Sequence, residues 1–475
     1  MLLPLVLAQF LCSFAATTMN VAISSIASDL GTTVSGVQTA ITVFTLTMAA
    51  LMIPGSKLTD IWGRKLCFRL GLLIYGAGAV IAAASPGLPT LVAGYSLGEG
   101  IGTALLIPPV YILATVFTTD VKSRARAFGA ISAAAGIGSA AGPLIGGLIT
   151  SATSWRVAFL VQALLVLVIL YLGRRIVEPA GQGPKPKLDL VGSILSAAGL
   201  FFVVVGTLLA GTYGWFRATQ DFVIGNIVLI PQGGISPVWL FELIGALLLL
   251  WFFWHIRATE RAGKEPLLPI RMFQNRVSNL GLVTQNIQWL VLLGLSFVVS
   301  VFLQTVRGYG AIETGLILTP ATVGILLSSM TAGRMAQRRS QATLIRAGFI
   351  VTIVGVILLL WLVSGTSNVL NFVPGLFLVG VGVGVMLTSS VNVVQSAFPE
   401  EDQGEISGLS RSVSNLGSSL GVAIAGTVIV SSLVTGNVGY ALALIVLAVF
   451  AVVGLVAAIL LPTNPVPQAP APEPT

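Results

Sequence analysis

The chain alternates between long apolar blocks and short polar junctions. Fourteen blocks can be placed, at about 3–27, 36–56, 67–85, 90–117, 125–150, 155–173, 188–210, 236–256, 277–304, 313–333, 343–364, 370–396, 405–433 and 437–461. Each holds roughly 18 to 28 residues, and about 20 apolar residues in a helix cross the hydrocarbon core. Helices and closed barrels are the two ways a backbone satisfies itself in lipid. The residue-by-residue alternation a barrel needs is absent, so the pattern predicts an all-α polytopic membrane protein. Met1 to Phe14 has the apolar character of a signal peptide but no basic n-region, so it reads as the first span. The chain begins almost inside that span, as a trimmed N-terminus would.

Composition agrees. Hydrophobic residues make up 55% of the 475 and charged residues 8%, against about 25% charged in soluble domains. The net charge of +8 does not point to nucleic acid, because the basic residues fall in junctions between blocks. Lys57, Arg64, Lys65, Arg69, Lys122, Arg124, Arg126, Arg174 and others through Arg346 occupy alternate junctions, while the opposite junctions hold only Arg156, Arg217 and Arg307. By the positive-inside bias the first set is cytoplasmic. Both termini are then cytoplasmic, in a multi-pass protein of the cell (plasma or inner) membrane. The two cysteines, Cys12 inside the first block and Cys67 at the start of the third, make no disulfide framework.

The blocks divide into a six-helix unit at 1–175, two extra spans at 176–265 and a second six-helix unit at 266–461. A proline-rich tail at 462–475 is expected to be disordered. Between the extra spans, Phe222 to Ile230 reads as two extended runs around Gly225-Asn226, a hairpin, or else as an apolar loop on the bilayer surface. Gly333 to Arg339, after block ten, looks like a worn copy of Gly55 to Lys65 after block two. Such repeats are typical of secondary transporters.

Gly55-x4-Asp60-x2-Gly63-Arg64-Lys65 resembles the signature loop of the major facilitator superfamily. Gly55 permits close packing, Gly63 a turn that a side chain would block, and Asp60 sits beside Arg64 and Lys65, able to meet the positive end of span thirteen. The resemblance implies a cytoplasmic gate that includes these residues and Arg124. In block five, Gly129-x8-Gly138-x3-Gly142-Pro143-x2-Gly146-Gly147 is similar to the antiporter motif of drug-exporting members. Its small residues allow close helix approach, and its proline permits a kink. Trp155-Arg156, Pro320 and Gly380-x-Gly-x-Gly384 agree. With fourteen spans, residues 1 to 461 resemble the fourteen-helix drug–proton antiporter branch. The implied fold is a major facilitator fold, two six-helix bundles plus two inserted helices.

Two positions depart from that branch. Ala15 stands where an acidic residue is usual before Thr17-Thr-Met-Asn20, and Ser96 where an arginine is usual. Glu99 stands where glutamine is more frequent. It lies about 14 Å from the helix end at 1.5 Å per residue, near the midplane, where a charge costs about 2.5 to 3.5 kcal/mol. Two readings stand: a proton-coupling or cation-binding carboxyl, or a protonated glutamate bonded to a neighbouring helix. Asp29, Asp221, Glu242 and Glu313 sit at the outer edge. Glu400, Glu401, Asp402 and Glu405 form a cytoplasmic cluster, read either as a partner for the basic loops or as a solvated turn. His255 is the single histidine and reads as an interfacial residue, not a metal ligand.

The resemblance further implies a substrate path lined by spans one, four, nine and twelve. The polar candidates are Thr17, Asn20, Ser96, Gln285, Gln288, Trp289, Asn392 and Gln395. A polar, uncharged lining with an aromatic suits a neutral or weakly cationic amphipath; each residue alone also suits an interhelical hydrogen bond. The function expected is export of hydrophobic or amphipathic small molecules by a monomeric, proton-coupled carrier without cofactor or metal. A lipid or fatty-acyl translocator and a metabolite uniporter remain alternatives. The phosphate-binding spacing of an ATP-driven pump is absent, and no catalytic constellation marks an enzyme.

Overall fold

The computed structural model describes residues 2–117, 121–174, 176, 187–224, 227–336, 339–363, 367–399, 402–431 and 437–462. Within them, fourteen helices are long and apolar enough to cross a bilayer. They are α1 (Leu3–Val21), α2 (Val34–Trp62), α3 (Arg64–Ala83), α4 (Leu88–Ala114), α5 (Ala133–Ala152, within a helix from Val121), α6 (Trp155–Gly173) and α7 (Leu190–Tyr213). The series continues with α8 (Pro237–Arg261), α9 (Arg276–Val306), α10 (Ala311–Ala332), α11 (Gln341–Leu362), α12 (Val369–Gln395), α13 (Gln403–Ile429) and α14 (Val438–Ile459).

Short polar residues start many of these helices. Thr33, Ser154, Asp189, Ser236, Asn275 and Ser340 each accept a hydrogen bond from a free first-turn N–H, the role that favours such residues at N-caps. Gly63 ends α2 and starts α3 with φ +95°, a left-handed region open to glycine at no steric cost. The turn read from the sequence is therefore present. Two helices contain π-helical segments, Val92–Glu99 in α4 and Phe302–Val306 in α9.

Helices α1 to α6 pack as one bundle and α9 to α14 as another. Glycines let backbones meet within each. A side chain at Gly78 would strike Gly94 and Glu99 backbone atoms, and one at Gly102 would strike Tyr75, so α3 and α4 lie in backbone contact. The Gly380-x-Gly-x-Gly384 run splits its faces: Gly380 and Gly384 meet α10, and Gly382 meets α11. Small residues serve association in lipid because apolar burial against lipid gains nothing over burial against protein.

Two seams join the bundles, α2 with α13 and α5 with α10. Helices α7 and α8 pair with each other, and α7 lies against α2 and α13. Helix α8 turns Leu243, Leu247, Leu250, Trp251 and Trp254 outward, a lipid-facing stripe. The loop between α7 and α8 carries an antiparallel hairpin, β1 (Phe222–Ile224) and β2 (Ile227–Ile230), pairing Val223 with Val228 and Ile224 with Ile227. Gly225 and Asn226, the turn read from the sequence, lie outside the described residues, as does most of the tail expected to be disordered.

Candidate functional site

A cavity of about 130 Å³ opens between the bundles. Gln9, Cys12, Ser13, Ala16 and Thr17 of α1 line it, with Thr103 and Ile107 of α4, Trp289 and Ser296 of α9, and Leu376 and Val379 of α12. The wall also takes residues from four helices outside the expected set. Helix α2 supplies Thr45, Met48 and Met52; α5 supplies Ser139 and Pro143; α10 supplies Leu318, Ala321, Thr322 and Ile325. Helix α13 supplies Arg411, Ser414, Asn415 and Ser418. The expectation of an uncharged lining is thus corrected, since Arg411 projects a guanidinium into it. Arg411 falls within block thirteen among Ser410, Ser412, Ser414 and Asn415, and a serine-rich stretch by itself does not tell a cavity wall from a helix-packing face.

Arg411 is held in a chain of polar contacts across the bundle interface. Its Nη2 donates to the Tyr111 hydroxyl, and the guanidinium carbon lies 4.7 Å from the Tyr111 ring centre. The Tyr111 hydroxyl donates to Gln9 Oε1 at 3.2 Å, and Gln9 Nε2 donates to Ser13 Oγ at 3.1 Å. An arginine in lipid-depth protein needs such partners, because an unpaired charge there is expensive.

Glu99 lies behind this wall, not in it. It is fully buried at the end of the π-helical segment, and neither carboxylate oxygen has a hydrogen-bond partner among the described residues. The Tyr75 hydroxyl lies beside the Glu99 carboxyl and donates to Gln162 Oε1 at 2.5 Å. Thr103, one helical turn on, reaches the cavity, and Cys12 lies within electrostatic reach of both Glu99 and Arg411.

Of the other residues singled out from the sequence, Thr17 and Trp289 face the cavity. Asn20 sits at its end, where Nδ2 donates to Ser296 Oγ at 3.3 Å and the carbonyl accepts from Gln304 Nε2 at 2.9 Å. Gln304 Oε1 also takes both donors of Ser24 at 3.0 Å. These bonds fasten α1 to α9 at the end opposite the basic loops. Ser96 is buried and donates to the Ala40 carbonyl at 2.7 Å, clamping α4 to α2. Gln285 accepts from Ser410 at 2.9 Å and Gln288 from Ser390 at 3.0 Å. Gln395 donates to Ser407 at 3.3 Å, and exposed Asn392 does not line the cavity.

At the basic end, α2 docks on the first turn of α13. Lys57 pairs with Glu405 at 3.2 Å, and Ser56 Oγ donates to the Gly404 carbonyl at 3.4 Å. Asp60 is exposed beside this contact and lines the same small cleft as Lys57 and Glu405. The residues that meet the start of α13 are thus Ser56 and Lys57, one turn before the aspartate expected there. Gly55 sits against the Ala104 carbonyl of α4. Glu405 reaches the other bundle, whereas Asp402 pairs within its own, with Arg271 at 2.6 Å. Glu400, Glu401 and the side chains of Arg124, Gly333 and Arg334 lie outside the described residues. His255 pairs with Asp189 at 2.9 Å between α8 and the start of α7.

The block-five glycine motif works on two faces. Gly138, Gly142 and Gly146 bring α5 against Phe10, Thr17 and Thr18 of α1. Pro143 and Gly147 meet Gly315 and Ala311 of α10. Gly129 lies outside the residues whose surroundings are described.

Two helix bundles packed around a central cavity within the membrane spans have the architecture of a membrane carrier. The profile of the Major Facilitator Superfamily matches residues 5–422, and the chain belongs to that superfamily. Fourteen spans fit its fourteen-helix drug–proton antiporter branch. Relatives include a probable actinorhodin transporter of Streptomyces coelicolor, 27% identical over 86% of this chain and 69% of its own length. The puromycin resistance protein pur8 of Streptomyces alboniger is 29% identical over 89% and 80%. The cephamycin export protein CmcT of Amycolatopsis lactamdurans is 28% identical over 89% and 83%.

Proposed function

We propose that this protein exports hydrophobic or amphipathic small molecules by alternating access. The observation that carries the reading is the cavity between the bundles, with walls of leucine, methionine, tryptophan and scattered hydroxyls. Apolar lining with few convergent polar groups is what small-molecule sites share. The cephamycin export and the puromycin resistance named for two of the relatives support the direction. The basic end is cytoplasmic and carries both termini in a cell-membrane monomer. The units are 1–175, 176–265 and 266–461, and the α2–α13 contact at Lys57 and Glu405 is the cytoplasmic gate.

Proton entry through Glu99 drives the export. A carboxyl buried without a hydrogen-bond partner, one turn from a cavity threonine, is placed to exchange a proton when the bundle interface rearranges. Its separation from the wall also favours a second reading, uniport with Glu99 as a structural group. Proteoliposomes with a trapped pH dye decide between them. Proton flux that follows substrate and disappears in Glu99→Gln supports exchange. Substrate movement without proton flux supports uniport.

A further inference from the structure

The lead reading leaves the substrate's charge open, and the cavity wall bears on it. Arg411 is the one charged side chain among the described lining residues. Among the described residues no carboxylate lies within ion-pair distance of it, and its bond to Tyr111 occupies one of the five N–H donors of a guanidinium. The carboxylate in electrostatic reach of the same ground, Glu99, stands behind Cys12 and outside the wall. Asn415, one turn further along α13, adds amide donors on the same cavity face. Around these lie Met48, Met52 and Trp289, adaptable apolar and aromatic surface.

A planar guanidinium with free donors recognises planar or tetrahedral oxyanions in two-point fashion. Nothing in the described wall offers a carboxylate to a cationic substrate. Tyr111 stacks against the guanidinium and fixes its direction, so the donors are pre-positioned rather than free to fold away.

We infer that the cavity selects amphipathic organic anions, with the acidic group seated on Arg411 and Asn415 and the apolar body against Trp289 and the α2 methionines. This assignment rests on the export reading. It replaces the neutral or weakly cationic amphipath expected from the sequence.

The test uses the full chain in proteoliposomes and three probes: 8-anilinonaphthalene-1-sulfonate, the neutral N-phenyl-1-naphthylamine with the same ring body, and tetraphenylphosphonium as a cation. Flux of each is measured against empty liposomes, and binding by equilibrium dialysis with the purified protein. The expected result is sulfonate affinity at least about tenfold above that of the cation and the neutral probe, a difference of 1.4 kcal/mol. Arg411→Gln brings the sulfonate-to-neutral ratio to about one, while Arg411→Lys keeps part of the preference. Should Arg411→Gln fail to yield monodisperse protein, the wild-type ranking of probes and the Arg411→Lys variant still decide. Preference for the cation in wild type, or an unchanged ratio in a folded Arg411→Gln protein, overturns the anion assignment and leaves export standing. Failure of all three probes to move overturns the export reading itself.

Discussion

Single residues here show how a polar side chain in a membrane bundle is committed by its contacts. Ser96, expected from the sequence as a cavity residue, is fully buried and bonded to the Ala40 carbonyl. Ser96→Ala removes that bond and leaves a carbonyl to find another donor, a cost of about 0.5 to 1.5 kcal/mol. A melting point lower by a few degrees in purified protein is expected. Ser96→Arg has no room in the α2–α4 seam, and a buried unpaired charge destabilises far more. Loss of the folded peak in size-exclusion chromatography is the expected outcome; a well-folded, active Ser96→Arg protein would show that the seam opens there.

At the scale of helices, the seams between bundles combine tight glycine contacts with hydrogen bonds to the facing backbone. Along α2 and α13, Gln38 donates to Val422 and Ala423 at 3.1 and 3.2 Å, Ser419 donates to Thr42 at 3.0 Å, and Ser412 donates to Ala49. Such bonds form and break without disturbing either helix, because each uses a side chain as donor. The α5–α10 seam joins a steric fit to one bond from the Ile312 N–H to Ser151 Oγ at 3.0 Å: a methyl group at Gly315 would enter the Pro143 carbonyl. Gly315→Ala therefore costs about 1 to 3 kcal/mol of overpacking and slows transport. Gly87→Ala, in the extended turn between α3 and α4 where the new carbon meets only Pro89 Cδ at 3.8 Å, serves as the control that leaves melting and transport unchanged. The Lys57–Glu405 pair is partly screened, and pairs of that kind contribute about 0.2 to 1 kcal/mol. Lys57→Glu and Glu405→Lys each weaken the closed basic end, and the double swap restores it, as read by distances between spin labels on α2 and α13.

For the whole molecule, the closed α1–α9 contact through Asn20, Ser296 and Gln304 sits opposite the basic end. Rocking must alternate such contacts with the Lys57–Glu405 side. A carbon built on Gly408 lies 3.2 Å from Ser56 Cβ, near the spacing of a disulfide. In a background without Cys12 and Cys67, Ser56→Cys with Gly408→Cys should cross-link on oxidation and stop transport, and reductant should restore it. Transport at an unchanged rate by fully cross-linked protein would place the moving seam elsewhere.

The sequence by itself determined the spans, the class of fold and the turn at Gly63, because lipid demands continuous apolar helices and a positive φ demands glycine. It also located the glycine motif, whose spacing at Gly138, Gly142 and Gly146 follows one helical face, but left Phe222 to Ile230 open between a hairpin and a surface loop, which the pairing of Val223 with Val228 decides. Only the tertiary structure decided what each polar group faces. Gln285 and Gln288 are as polar as Thr17, but packing turns them to Ser410 and Ser390 and turns Thr17 to the cavity. Arg411 and Tyr111 stand 300 positions apart, and Glu99 falls behind the wall through the way α4 packs on α3. Burial partners of that kind depend on helix rotation and neighbour choice, which a period of 3.6 residues does not encode when a helix is apolar all round.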